Sequence, residues 1–193
     1  MKNFIQLIHK IYPLPDNDLQ ALFDEGEEIS IPKGEHIIRE GEINKSIYIL
    51  KSGVLRGYYS GEDKEVTVWF VIPGEPAFST WGYIEGRASR LSIEATCDSV
   101  ALYFSKERIE KLFISTIPLS IWGRKLFERL LLVSDQSIID LYKPLAAERY
   151  IALADKMPEI IRNVPLKDIA VYLGMTPQSL SRVRAGLARK NKQ

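Results

Sequence analysis

The polar side chains near the end of the chain are the residues whose types and spacing most clearly indicate a binding function. Between Thr176 and Lys190 the chain has Gln, Ser and Arg side chains and no acid. Leu180, Val183 and Leu187 recur there at helical spacing, so one helix face would pack inward and the other would present the polar side chains. Arg binds guanine and Gln binds adenine in the DNA major groove. The segment therefore predicts a DNA-reading helix, and the alternative is a helix whose charged face meets only water.

A shorter helix precedes this one, and the residues between the two predict a tight turn. Pro165 can open the first helix, because the N–H that proline lacks would be unpaired there anyway. Gly174 suits the left-handed residue that ends a helix, and Thr176 would cap the second helix with Pro177 at its first position. This pattern predicts a helix-turn-helix from Pro165 onward.

The charge of the chain is divided unevenly. From Arg162 onward there are seven Lys and Arg residues and one acid, Asp168, which gives this segment a net charge of +6. Because the whole chain carries +1, residues 1–161 carry −5. Such an asymmetry favours a polyanionic partner for the basic end.

Length and composition exclude several classes of protein. With 193 residues, 46% of them hydrophobic, the chain can form one large or two modest globular domains. No apolar run could span a bilayer and the first residues lack the core of a signal peptide, so we expect a cytoplasmic protein that binds no membrane. Cys97 is the only cysteine, which excludes an internal disulfide and a cluster held by several of the chain's own thiolates.

The hydrophobic period changes twice along the chain. After a helical segment over residues 2–12, short runs rich in β-branched and aromatic residues extend from about Glu27 to Phe104 and predict an antiparallel sandwich or jelly roll of about eight strands. A long helix follows, from Pro118 to about Lys143, with two apolar stripes. We expect one stripe to pack on the barrel and the other on the same helix of a second chain, the alternative being burial within one chain. Pro144 then marks a hinge, and residues 145–161 predict one further helix, which ends near Pro158.

In this order of elements the sequence resembles the Crp/Fnr family of bacterial transcription regulators. The motifs that carry the resemblance are PKGEHIIREGEINKSIYILKSG (32–53), PGE (73–75), AERYIALA (147–154) and IAVYLGMTPQSLSRVRAGL (169–187). The resemblance implies an α+β fold with three parts: a cyclic-nucleotide-binding-like jelly-roll barrel (1–113), a long dimerisation helix (114–143) and a helix-turn-helix domain (144–193). It also implies a homodimer that reads a two-fold related site in double-stranded DNA with one recognition helix per subunit.

The resemblance places the DNA contacts on the second helix of the helix-turn-helix. Arg182 would bind guanine and Gln178 adenine, with the other polar residues on phosphates or at the helix start. The predicted DNA-binding residues are Thr176, Gln178, Ser179, Ser181, Arg182, Arg184, Arg189 and Lys190. The sequence stops soon after this helix, so we expect a variant without the family's β-hairpin wing and with fewer phosphate contacts.

The effector region matches the family less well. In cyclic-nucleotide binders a Gly-Glu pair holds the ribose, and here Ser79-Thr80 stand in its place. The loss of that carboxylate removes a charge-assisted hydrogen bond of roughly 1.5–3 kcal/mol, so we expect an effector other than cAMP. The predicted effector pocket is lined by Phe78, Ser79, Thr80, Trp81, Tyr83, Arg87 and Arg90. Either an unidentified small molecule binds there or these residues belong to the core.

Other classes of function find little support in the sequence. A jelly-roll metalloenzyme needs several His side chains and a carboxylate on one metal, and this chain has only His9 and His36. We therefore predict no catalytic residue, no metal and no bound cofactor. A ligand-binding module without specific DNA binding is the remaining alternative, and the acid-free helix argues against it.

Overall fold

The computed structural model describes residues 2–190 and the side chains up to Arg189. Its α-helices are α1 Lys2–Ile11, α2 Asp16–Glu25, α3 Lys106–Phe113, α4 Ile117–Leu141, α5 Ala146–Lys156, α6 Pro158–Asn163, α7 Leu166–Tyr172 and α8 Pro177–Lys190. Its strands are β1 Glu27–Ile31, β2 His36–Ile38, β3 Ile47–Ser52, β4 Leu55–Ser60, β5 Glu65–Val71, β6 Pro76–Ala77, β7 Ser92–Ala95 and β8 Ser99–Phe104. A π-helical turn covers Trp81–Glu85.

The strands form two antiparallel sheets that pack face to face. The first sheet has the order β1-β8-β3-β6, and the second has the order β2-β7-β4-β5. Leu50 and Ala101 of the first sheet meet Leu55 and Ile93 of the second in the core between them. The predicted α+β fold, with an antiparallel barrel, a long helix and C-terminal helices, is confirmed. The pattern did not predict β6, which is only two residues long.

Helices α1 to α3 cover the outer face of the first sheet and form a second core with the start of α4. Trp122 of α4 is fully buried there, and its indole Nε1 donates a 3.1 Å hydrogen bond to the carbonyl O of Ile8. Phe104 of β8 packs in the same cluster. Thr116 fixes the start of α4, because its Oγ1 accepts a 3.3 Å hydrogen bond from the Leu119 N–H.

Two prolines follow helix ends that lie within about two residues of the predicted positions. Helix α4 ends at Leu141, before the predicted end near Lys143, so the break precedes Pro144. Helix α5 ends at Lys156, close to the predicted end near Pro158, and Pro158 starts the short helix α6, which the sequence pattern did not predict. No helix within residues 2–190 has the length and apolar character needed to cross a membrane.

The two apolar stripes of α4 lie on opposite sides of the helix. Leu119, Trp122 and Leu126 are buried against the barrel and the N-terminal helices. The opposite stripe is exposed to solvent and consists of Ile117, Leu131, Leu132, Ile138 and Ile139. Among the described residues nothing covers this stripe, and an exposed apolar stripe of this length is typical of an interface.

Helices α5 to α8 form a third core that includes residues of the barrel. Leu153, Ile160, Ile169 and Leu180 are buried in it, and so is Phe70 of β5. The C-terminal helices therefore rest on the outer face of the second sheet, with α7 against β5.

Candidate nucleic-acid interface

Local hydrogen bonds build the turn between α7 and α8. Gly174 is left-handed (φ 65°), and the Met175 N–H donates a 2.8 Å hydrogen bond to the carbonyl O of Ala170, which closes the end of α7. Thr176 caps α8, because its Oγ1 accepts a 3.1 Å hydrogen bond from the Ser179 N–H. Two helices joined by a tight turn thus form where the sequence predicts them.

Helix α8 has a packed side and a polar side. Leu180 is fully buried, and Val183 and Leu187 are half-buried. The exposed residues on the predicted DNA-binding face are Gln178, Ser181, Arg182, Arg184 and Arg189. Thr176 and Ser179 lie at the helix start, where their hydroxyl oxygens are 3.0 Å apart and belong to the cap. The side chain of Lys190 lies outside the described residues.

The polar side of α8 carries positive charge alone. The ion pairs among the described residues do not include Arg182, Arg184 or Arg189. Guanidinium groups on an exposed helix without carboxylate partners can bind phosphate oxygens or the acceptor edge of guanine. The arrangement therefore provides the chemistry of a major-groove reader on one uncovered surface.

Helix α7 is held on the barrel by an ion pair as well as by apolar contacts. Asp168, buried in α7, accepts a 2.9 Å hydrogen bond at Oδ1 from Nη1 of Arg56 on β4. Beside it the rings of Phe70 and Tyr172 pack edge to face with their centroids 5.2 Å apart. Sequence reasoning placed neither Arg56 nor Asp168 in a site.

Arg56 is buried and is the centre of a group of charges on the outer face of the second sheet. Its Nη2 lies 2.6 Å from a carboxylate oxygen of Glu65 and 2.6 Å from one of Glu94, and its guanidinium stacks 4.2 Å from the centroid of the Tyr58 ring. Burial alone would lower the pKa of Arg56, but the neighbouring carboxylates outweigh it and raise that pKa above its ordinary value. His36 joins the group through its Nε2, 2.7 Å from the Tyr58 hydroxyl.

A second arginine ties the hinge to the helix-turn-helix. Arg149 of α5 donates a 2.7 Å hydrogen bond from Nη1 to the carbonyl O of Lys143 and a 3.0 Å hydrogen bond from Nε to the carbonyl O of Leu173. Those carbonyls follow the ends of α4 and α7, where backbone acceptors lack partners within the helix. One side chain therefore connects the segment after the long helix to the turn before α8.

The residues of the predicted effector pocket divide into a buried and an exposed set. Phe78 and Tyr83 are buried and pack with Phe127 of α4, at ring centroid distances of 5.7 and 6.1 Å. Burial raises the pKa of Tyr83 to about 12. Ser79 is also buried, and its Oγ accepts a 3.1 Å hydrogen bond from the Gly82 N–H. The exposed set is Thr80, Arg87 and Arg90, and the half-buried Trp81 lies 5.7 Å from the Arg90 guanidinium.

Two glycines show how closely this part of the barrel is packed. A Cβ added to Gly82 would lie 2.0 Å from the carbonyl O of Asn44, so the π-helical turn lies directly on the loop before β3. A Cβ added to Gly57 would lie 2.4 Å from the Trp69 ring, which faces it across β4 and β5. Because Gly57 also pairs with the buried Ile93, the Trp69 indole lies on the inner face of the barrel.

The PGE motif contributes a buried acid at the junction of the barrel and α4. Glu75 accepts a 3.2 Å hydrogen bond from the Ile72 N–H, and burial raises the pKa of its carboxyl despite this hydrogen bond. Within the described part of the chain, no group of three His, Cys, Asp or Glu side chains is placed to hold a metal ion.

Comparisons with known proteins agree with this architecture. Residues 28–116 match the family model of the cyclic nucleotide-binding domain, whereas a search of curated proteins finds no match. FixK2 from Bradyrhizobium japonicum is 23% identical, with 86% of each chain covered and a TM-score of 0.68. A CRP-family transcriptional regulator from Thermus thermophilus is 20% identical, with 84% of this chain and 85% of that chain covered and a TM-score of 0.66. The c-di-GMP responsive global regulator CLP from Xanthomonas campestris is 18% identical, with 92% of this chain and 93% of that chain covered and a TM-score of 0.66.

These matches define a barrel of the cyclic nucleotide-binding type followed by C-terminal helices. Residues 28–116 are similar to the cyclic nucleotide-binding domain family, and the fold of the chain is similar to that of FixK2 and of the two other solved regulators.

Proposed function

We propose that this protein is a DNA-binding transcription regulator of the Crp/Fnr type, located in the cytoplasm and acting as a homodimer rather than as an enzyme. The observation that carries the proposal is the polar side of α8, which is exposed, free of acids and rich in arginine. Arg182 and Gln178 are assigned to base edges, and Ser181, Arg184 and Arg189 to phosphates. Lys190 is assigned to phosphate from the sequence alone.

The exposed stripe of α4 supports the homodimer. Leu131 and Leu132 are 67% and 71% exposed, and Ile138 and Ile139 are 52% and 61% exposed. The Arg124–Glu128 ion pair also lies on this side of the helix, so the stripe has a charged segment between its apolar ends. A second copy of the same helix offers a matching apolar surface, and two-fold pairing would bury both stripes at once.

For the barrel, we propose that the effector is not cAMP. A cyclic nucleotide needs a carboxylate for its ribose and a cation for its phosphate, and Ser79-Thr80 supply no carboxylate. Arg87 and Arg90 are exposed rather than directed into the barrel. The Trp69 indole also occupies the inner face of the second sheet. Isothermal calorimetry with cAMP should show no binding at micromolar concentration, and micromolar binding would contradict this part of the proposal.

Binding-site selection from random duplexes tests the DNA-binding function. Because specific readers combine base contacts with salt-dependent phosphate contacts, selection at a fixed salt concentration should converge on one sequence. We expect that sequence to be palindromic. Equal binding to every duplex would instead support a ligand-binding module without specific DNA recognition. Running the selection with and without a metabolite panel would show whether an effector changes the affinity.

A further inference from the structure

The contact between α7 and the second sheet includes one ion pair, formed by Arg56 and Asp168. Asp168 is the only acid from Arg162 onward, and it is 7% exposed because it faces Arg56 of the barrel. Residues 1–161 carry a net charge of −5 and the remainder carries +6. These net charges would favour an acid of the barrel facing a base of the C-terminal segment, whereas the observed pair has a base on the barrel and an acid on α7. General attraction between an acidic barrel and a basic C-terminal segment therefore does not account for this ion pair.

The geometry around Arg56 favours one placement of α7. Its Nη1 bonds Asp168, while its Nη2 lies 2.6 Å from both Glu65 and Glu94 on the neighbouring strands. The guanidinium fork is thus shared between the barrel and α7, and its plane is held by the Tyr58 ring beneath it. A buried ion pair adds little net stability, but shifting α7 would separate the Asp168 carboxylate from Arg56, so such a pair favours one arrangement over others.

Apolar contacts hold α7 beside the ion pair. Phe70 and Val54 of the barrel are buried against Ile169, Ala170 and Leu173. An ion pair and an apolar patch side by side oppose rotation and sliding of α7 on the sheet. Because α8 is packed on α7 and joined to it by the Gly174 turn, its orientation relative to the barrel and to α4 is fixed as well.

This contact leaves the polar side of α8 uncovered. Gln178, Arg182 and Arg184 are exposed while α7 lies on the barrel, so the arrangement presents the surface assigned to DNA. A dimer that must place two recognition helices in two grooves at once loses less conformational freedom on binding when each helix is already oriented.

We propose that Arg56 and Asp168 are positioning residues that hold each recognition helix in the orientation with which the dimer binds two half-sites. This inference rests on the proposed function, because it assigns a role to residues that do not contact DNA. Breaking the pair should weaken binding to a duplex with two half-sites and leave binding to a single half-site unchanged. A loss on the two-half-site duplex alone indicates that the orientation of the helices has changed, whereas a loss on both duplexes would indicate weaker contacts between α8 and the bases.

Asp168→Asn is the direct test, because it removes one negative charge with little change of shape. Its effect on net charge alone would strengthen binding to all DNA. We instead expect the affinity for the selected two-half-site duplex to fall by about tenfold or more, and the affinity for a single half-site not to fall. Asp155→Asn is the matched control, since it changes the charge equally at an exposed position of α5. It should not weaken binding to either duplex.

Hydrogen–deuterium exchange supplies a readout that does not depend on DNA. In Asp168→Asn the amides of α7 and of the facing part of β5 should exchange faster than in the wild type, while those of the first sheet should not change. Arg56→Lys, which keeps the charge but loses the planar fork, should give a smaller change in the same direction in both assays, and it carries the test if Asp168→Asn does not fold.

Either of two results would overturn the inference: unchanged affinity for the two-half-site duplex, or an equal loss on both duplexes. Unchanged exchange in α7 would overturn it as well. If the wild type selects no sequence, the proposed function fails instead, and the exchange measurement still decides whether the pair holds α7 on the barrel.

Discussion

Leu132 lies on the exposed stripe of α4, and its replacement by Glu tests the dimer quantitatively. Fully burying a leucine contributes about 1.5–3 kcal/mol. Since Leu132 is 71% exposed in the single chain, burying the rest is worth about 1–2 kcal/mol per copy, or about 2–4 kcal/mol in a two-fold dimer. Leu132→Glu should therefore raise the dimer dissociation constant by a factor of about 30–700, before the cost of desolvating a carboxylate is added.

Sedimentation velocity over a range of protein concentrations measures this dissociation constant. Gln6→Glu is the matched control, because it adds one negative charge at an exposed position of α1, which packs on the buried side of α4, opposite the stripe. Its dissociation constant should stay close to that of the wild type. A wild type that remains monomeric at micromolar concentration would refute the reasoning, and so would a Leu132→Glu variant that dimerises as tightly as the wild type.

Three further substitutions test other parts of the structure. Arg182→Ala should cost about 1–3 kcal/mol of binding free energy and relax the preference at one base position, measured by competition with duplexes changed at each position. Arg149→Lys cannot reach the carbonyls of both Lys143 and Leu173, so urea denaturation should show a loss of about 1–3 kcal/mol in the free energy of unfolding. Burial raises the pKa of Glu75, so ionisation of its carboxyl lowers the free energy of unfolding. This loss is absent below the ordinary carboxyl pKa, grows as the pH rises to the raised pKa of the folded state and stays constant above it. Glu75→Gln should therefore raise the melting temperature more at neutral than at acidic pH, and equal shifts at both would contradict the assignment.

Local sequence signals predicted the helix-turn-helix well, because its geometry depends on neighbouring residues. Gly174 is left-handed and Thr176 caps α8, as a glycine and a threonine-proline pair at these positions predict. The barrel was predictable for a similar reason, since short alternating runs between turn residues specify antiparallel strands. The opposite stripes of α4 also followed from spacing alone.

Contacts between distant residues could not be predicted in this way. Arg56 and Asp168 are 112 residues apart, and nothing local to either one marks the other as its partner. Asp168 was visible in the sequence only as the single acid of a basic segment. Gly57 carried a usable signal, because a glycine inside a strand often marks the close approach of another group, here the Trp69 ring.

The predicted effector pocket shows the same limit. Phe78 and Tyr83 are buried against Phe127 of α4, whereas Arg87 and Arg90 are exposed. Residue types near the expected position did not reveal which side chains turn inward, because that depends on the π-helical turn and on Gly82 lying against Asn44.

The central claim is that paired subunits present two copies of α8 to successive grooves of one duplex. Hydroxyl-radical footprinting of the wild type on its selected duplex tests this most directly. We expect two protected patches related by two-fold symmetry, with half-site centres about 34–36 Å apart, one helical turn of DNA, or a multiple of that spacing. A single protected patch, or two patches without this symmetry, would contradict the account.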